Sequence, residues 1–198
     1  MKVATPIHRL PDSKMTPSGR AISRAPGLKE NFGGLYLAPA IAANLHTLSP
    51  GARFATIRAQ LSARDRAILL EGLPRGAAIP CWGTTEGNRS AFHRMAPGDT
   101  VLFSVSGTGT FAFRAVVYHK AESPALGSLL WEFRGRRPWA LIFFVRDVTA
   151  ISIDKGQLVT GLGYSEADPV MGLRRVREDL VDRLVHKHKS VVNFLSSF

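Results

Sequence analysis

The side chains best equipped for chemistry are few and scattered. The single cysteine, Cys81, sits beside Trp82 in a hydrophobic stretch. A nucleophilic thiolate needs a base that is itself held by a third group, and the apolar setting points instead to a buried structural thiol. Glu86, Asp99, Glu122 and Glu132 show no paired spacing that would separate a general acid from a general base. His8, His46, His93 and His119 are dispersed, while His186 and His188 stand two apart on a predicted helix, where their side chains diverge. Neither a G-x-x-x-x-G-K-[ST] loop nor a G-x-G-x-x-G strand-to-helix turn is present, and no His/Asn cluster of the HNH nuclease type is visible. No catalytic residue, metal ligand or cofactor site is therefore assigned.

The charge balance points to a class of partner. The chain has 198 residues, 26 Lys and Arg against 15 Asp and Glu, and a formal charge of +11, with a pI near 10.7. A surface of this kind attracts polyanions and releases counterions from phosphates, so nucleic acid is the leading partner class. The plainer alternative is an arginine-rich surface that only keeps the chain soluble. No stretch approaches the roughly 18 apolar residues of a membrane span, and Pro6, Pro11 and Asp12 interrupt what a signal would need as its apolar region. One cysteine excludes an internal disulfide and a multi-cysteine zinc site. A cytoplasmic setting without membrane association is expected.

Any site must be positioned by the elements around it. Residues 1–31 mix Lys14, Arg20, Arg24 and Lys29 with turn formers and read as an extended basic arm. Residues 32–75 read as a helical preamble. Ile41, Asn44, Leu45 and Leu48 fall at helical spacing, Phe54, Ile57 and Leu61 follow, and Ser62 caps a helix from Ala63 to Leu70 that faces a core with Ala67, Ile68 and Leu70. Gly72 and Pro74 end it. Strands are predicted for Ala77 to Trp82 and Thr100 to Val105. After a turn at Gly107-Thr108-Gly109, further strands are predicted for Phe111 to His119, Trp139 to Val145 and Val148 to Ile153. Phe103, Phe111, Phe113, Phe143 and Phe144 are assigned to the core. From about Pro169 the chain returns to helix, with Val176, Leu180, Leu184 and Val185 as the buried stripe and Arg174, Arg175, Arg177 and Arg183 beside it. The main unit is placed at 76–185 and a tail at 186–198.

Within that unit, Trp82-Gly-Thr-Thr-Glu-Gly-Asn-Arg-Ser-Ala-Phe-His-Arg-Met95 and Val101-Leu-Phe-Ser-Val-Ser-Gly-Thr-Gly-Thr-Phe-Ala-Phe113 resemble the YTH family of methylated-base readers. Leu130-Trp131-Glu132, then Trp139 to Val148 ending in Phe-Phe-Val-Arg-Asp-Val, resemble that family's second tryptophan and following strand. EVE domains and the amino-terminal specificity domains of McrB-type restriction systems look similar as well, notably in the Pro80-Cys81-Trp82-Gly83 entry. The resemblance covers roughly residues 75 to 165. It implies an α+β, PUA-like (YTH/EVE-like) fold, a curved β-sheet or barrel flanked by helices, with the helical preamble in front. It also implies a pocket that takes an extruded base between aromatic walls: Trp82 and Trp131 as cage tryptophans, Gly83 and Thr84 offering backbone groups, and Phe133 or Trp139 as third wall. Candidate backbone contacts are Asn88, Arg89 and Arg94 after the first tryptophan and Arg134, Arg136 and Arg137 after the second.

Independently of the family, base stacking on an aromatic face is worth about 1–3 kcal/mol, so two facing tryptophans could hold a base. They do not by themselves read a methyl group, whose burial adds only about 0.8 kcal/mol; discrimination needs fitted polar groups that the wrong base leaves unpaired. The expected function is non-catalytic recognition of a methylated base in DNA. Such a module would target a modification-dependent restriction system, with nuclease or NTPase activity on a partner. DNA is preferred over RNA because the helical preamble is similar to that of restriction proteins. The alternatives are a reader of N6-methyladenine in RNA and a PUA-like enzyme using Cys81, Glu86 or His93. Methyladenine, methylcytosine and hydroxymethylcytosine are not separated by sequence.

Overall fold

The computed structural model describes residues 33–71, 78–131, 138–165 and 170–198. The arm 1–31, the helix-ending Gly72 and Pro74, Glu132, Phe133, Arg134, Arg136, Arg137 and Pro169 lie outside the described residues.

In chain order, the amino-terminal half runs β1 (Leu35–Ala40), a 3-10 turn (Ala42–Thr47), β2 (Ala52–Arg53), α1 (Phe54–Ile57), α2 (Ala63–Glu71), β3 (Ala78–Ile79), β4 (Cys81–Thr84) and α3 (Arg89–Arg94). It continues with β5 (Thr100–Val105), β6 (Thr110–Glu122), α4 (Pro124–Leu130), β7 (Leu141–Asp154), α5 (Lys155–Gly161), β8 (Arg174–Arg175), α6 (Glu178–His188) and α7 (Val191–Leu195). Six strands form one mixed sheet in the order β4-β7-β6-β5-β1-β8, and β2 pairs with β3 beside it.

The long strands β6 and β7 curl because their register slips repeatedly. Between the pairs Arg114/Thr149 and Val116/Arg146, β7 carries one residue more than β6, and Asp147 there adopts φ 54°. An extra residue on one strand increases local twist and bends the ladder. The result is the curved sheet flanked by helices that the sequence led us to expect. The turn at Gly107-Thr108-Gly109 is also as expected, with both glycines at positive φ, 84° and 68°.

Alternation along each strand sorts the core into layers. Tyr36, Ala38, Trp82, Val101, Phe103 and Phe143 share one cluster. On the other face, Leu35, Leu37 and Leu102 pack with α5, α6 and α7. Cys81, Ile142 and Phe144 pack with Ile57, Leu69 and Trp131.

Several local expectations give way to tertiary structure. Leu35–Ala40 is a strand rather than the start of a helical segment, paired parallel with β5 and antiparallel with β8. It is apolar on both faces, so no period distinguishes it from a buried helix. Pro39 is tolerated because β8 pairs only with Tyr36 and Leu37. Ser62 does cap α2, its Oγ accepting from the Asp65 N–H at 3.1 Å, but Leu69 is the fully buried residue and Leu70 is 54% exposed. The helix is instead tied to β6 by the Tyr118 hydroxyl on the Ile68 carbonyl at 2.7 Å and by His119 against Asp65 at 2.8 Å. The two apolar strand segments after Trp139 merge into the single β7. Arg174 and Arg175 form β8, and Val176 precedes α6 rather than belonging to it. His188 extends α6, and Val191, Phe194 and Leu195 of the short α7 join the core.

Candidate nucleic-acid site

β4 is an edge strand, bonded to β7 with Trp82 opposite Phe143 and Gly83 opposite Ile142. The Val145 N–H donates to the Pro80 carbonyl at 2.9 Å. Alternation along an antiparallel ladder then turns the backbone groups of Trp82 and Thr84 toward β7 and those of Cys81 and Gly83 toward the edge that no other described strand pairs.

The tryptophans gather around that edge. Trp82 is 2% exposed, Trp131 3%, and Trp139 is half-buried. Their ring centroids form a near-equilateral triangle: Trp82 to Trp131 at 6.4 Å, Trp82 to Trp139 at 5.7 Å and Trp131 to Trp139 at 5.3 Å. Gly83 makes the arrangement possible, since a β-carbon there would lie 2.6 Å from Trp131 Cζ3 and 3.0 Å from Trp139 Cβ. Gly127 of α4 plays a similar part, because a β-carbon on it would collide with the Trp139 carbonyl.

The structure therefore brings Trp82, Gly83, Thr84, Trp131 and Trp139 together. The rings meet at interplanar angles of 48–65° instead of standing parallel across a slot. A base sandwiched between Trp82 and Trp131 needs two van der Waals contacts of about 3.5 Å each, hence roughly 7 Å between facing planes. Among the described residues the rings leave no such gap, and admitting a base between them requires a ring to swing out. Among the described residues, open grooves of about 340 Å³ lie elsewhere, one at Arg114, Ile151 and Phe198 and another at Leu180, Arg183 and Phe194.

The polar candidates separate by environment. Asn88 is part of the scaffold: its Nδ2 donates to Thr84 Oγ1 at 2.7 Å, and its amide lies where a β-carbon on Gly172 would be. Arg89 forks between Glu86 and Glu122 at 2.7 and 2.8 Å, and these hydrogen bonds hold its pKa above the ordinary value. Its charge is already compensated by two carboxylates. Arg94 is exposed at the end of α3, where the Lys120 ammonium caps the helix through the Phe92 and His93 carbonyls at 2.7 and 3.1 Å. Desolvation lowers the pKa of Lys120.

The groups considered for catalysis are differently placed. Cys81 is fully buried, and burial pushes its thiol up to about 12, which makes it the structural thiol expected. Glu86 is engaged by Arg89, and exposed His93 lies 3.2 Å from the same guanidinium. Among the described residues, no group of three or more His, Cys, Asp or Glu side chains is arranged to hold a metal ion, and no helix is long and apolar enough to cross a membrane.

Sequence inspection missed Thr47. Its Oγ1 accepts the Trp131 indole N–H at 3.3 Å and donates to the Asn44 carbonyl at 2.9 Å. Eighty-four residues separate Thr47 from Trp131, and no local pattern marks the pairing.

Comparison with known proteins places this geometry in a fold group. No family model and no curated protein matches the chain. Among solved structures, the N-terminal domain of Thermococcus gammatolerans McrB, bound to m5C DNA, aligns with a TM-score of 0.59 at 14% identity, covering 79% of this chain and 98% of that one. The Pho92 YTH domain in complex with m6A aligns at 0.48 and 12% identity, covering 81% and 88%. An ASCH protein from Zymomonas mobilis aligns at 0.41 and 11%, covering 77% and 95%. The chain thus has the PUA-like fold that its sequence resembles, in the form shared with the McrB N-terminal domain; this assignment rests on the first alignment.

Proposed function

We propose that this chain recognises a methylated base in nucleic acid, extruded from its strand and stacked within the tryptophan cluster around Gly83. The observation that carries the reading is the meeting of Trp82, Trp131 and Trp139 at a glycine on an edge strand, in a fold shared with a domain bound to methylated DNA. Aromatic faces supply stacking, and the outward backbone of Gly83 supplies a donor and an acceptor for a base edge. Trp139, the half-buried ring of the three, is the one that yields to the base. Extruding a base from a duplex costs a few kcal/mol, offset by stacking and by phosphate contacts from Arg94 and the wider basic surface.

The target is DNA, and the chain serves as the targeting module of a modification-dependent restriction system whose nuclease or NTPase resides on a partner. It carries no catalysis of its own: the Cys81 thiol is sealed, and Glu86 is held by Arg89. The test is a titration panel of oligonucleotides of one sequence, with N6-methyladenine, 5-methylcytosine, 5-hydroxymethylcytosine or no modification, made as DNA and as RNA. Tighter binding to one modified DNA supports the reading. Preference for a modified RNA would move the target class, and equal affinity across the panel would overturn it.

A further inference from the structure

The segment from Thr47 to Arg53 touches both sides of the aromatic cluster. At one end, the Thr47 hydroxyl accepts the Trp131 indole N–H, with both residues buried. At the other, Ala52 and Arg53 pair with Ile79 and Ala78, the strand that leads through Pro80 into Cys81 and Trp82. Between them, Gly51 lies so close to this strand that a β-carbon would come within 2.7 Å of the Ile79 carbonyl carbon and the Pro80 nitrogen. One short stretch is thus fastened to β3 and Pro80, directly before the strand that carries Trp82, and to the ring of Trp131.

The chemistry at Thr47 is directional. A hydroxyl has one proton, and here it is given to the Asn44 carbonyl at 2.9 Å. What remains on Oγ1 is acceptor capacity, which suits an indole N–H, a group that can only donate. Rotation of the Trp131 ring about its side-chain bonds would leave that N–H buried and unpaired. Trp82 is fixed independently, by its place in β4 and by Phe103 at 5.8 Å.

We infer that Thr47 is a positioning residue of the base-reading site: it fixes the plane of Trp131, and the Thr47–Arg53 segment sets the spacing between Trp131 and Trp82. This inference rests on the proposed function and adds the preamble to the site as a working part. Trp131 is then the fixed wall of the cluster.

The test compares Thr47→Val, which keeps the shape and removes the hydroxyl, with Thr47→Ser, which keeps the hydroxyl. Indole N–H signals of the full chain, assigned through Trp82→Phe, Trp131→Phe and Trp139→Phe variants, report the tether without any ligand. The Trp131 signal is expected to shift and exchange faster in Thr47→Val and to remain protected in Thr47→Ser. With the oligonucleotide that wild type prefers, Thr47→Val is expected to lose about three- to tenfold of its preference over the unmodified strand, and Thr47→Ser to regain it. The salt dependence of binding should stay the same, since no phosphate contact is altered. A wild type that discriminates, with Thr47→Val discriminating equally well, overturns the positioning role alone. A wild type that discriminates nothing overturns the base-reading proposal and this inference with it.

Discussion

Replacing Gly83 with alanine perturbs the cluster at its tightest point. The new methyl would stand 2.6 Å from Trp131 Cζ3, 2.8 Å from Cη2 and 3.0 Å from Trp139 Cβ, where carbon atoms settle at about 3.5–4.0 Å. The Trp131 ring must therefore withdraw by roughly 1 Å. Its N–H already reaches Thr47 at 3.3 Å, the long end of a hydrogen bond, so withdrawal breaks that bond. Overpacking of this kind costs about 1–3 kcal/mol, against which reduced freedom of the unfolded chain returns about 0.4–1 kcal/mol. With about 1 kcal/mol more for the broken hydrogen bond, the net loss is about 1–3.5 kcal/mol, which for a chain of this size lowers Tm by roughly 2–14 °C. Calorimetry and oligonucleotide titration on the same preparation check it, with the fall in Tm accompanied by a loss of preference for the modified strand. An alanine variant with unchanged Tm and unchanged selectivity would refute the packing described around Gly83.

Cys81 should resist thiol reagents in the native chain, since burial both seals it and keeps it protonated up to about 12; labelling is expected only at the rate of unfolding, and rapid native-state labelling would contradict this. Arg94→Ala should reduce the slope of log affinity against log salt by about one phosphate contact, whereas Arg89→Ala should leave that slope unchanged because Glu86 and Glu122 already occupy its guanidinium; salt titrations of both variants decide. Partial burial tends to raise the Asp65 pKa, but hydrogen bonds from Ser62 and His119 outweigh it and hold the carboxyl below its ordinary value of 3.8. The stability it contributes is complete above that unfolded value and is lost as pH falls through the lower folded one. Asp65→Asn should therefore flatten the acid limb of the stability curve, with a cost near neutral pH on the order of 1 kcal/mol, measured by denaturant titration at several pH values.

The strands from Thr100 to Ile153 were legible in the sequence because β-branched and aromatic runs there are bounded by glycine turns and aspartate. The strand Leu35–Ala40 was not, since a stretch buried on both faces has no polar alternation to betray it. Leu69 and Leu70 changed places for a related reason: the face α2 buries is set by Tyr118 and His119 on β6, far away in sequence. At the site, Trp82 and Trp131 were marked by ordered landmarks and Trp139 only as one of two candidates for a third wall, whereas the angles between the rings left no mark. Those angles depend on the missing β-carbon of Gly83, on the close approach at Gly127 and on the Thr47 hydroxyl, none of which leaves a pattern among neighbouring residues. Arg89 shows the same gap, because sequence displays its charge and conceals that Glu122 lies within 2.8 Å of it.

The most direct measurement is the ratio of dissociation constants for modified and unmodified strands, taken with wild type, Trp82→Ala and Trp131→Ala at one salt concentration. Wild type should prefer one modified strand, and each variant should lose that preference while retaining the weaker, salt-sensitive affinity that the positive surface supplies. Selectivity that survives removal of both rings, or that is never present, would contradict the claim that these indoles read the base.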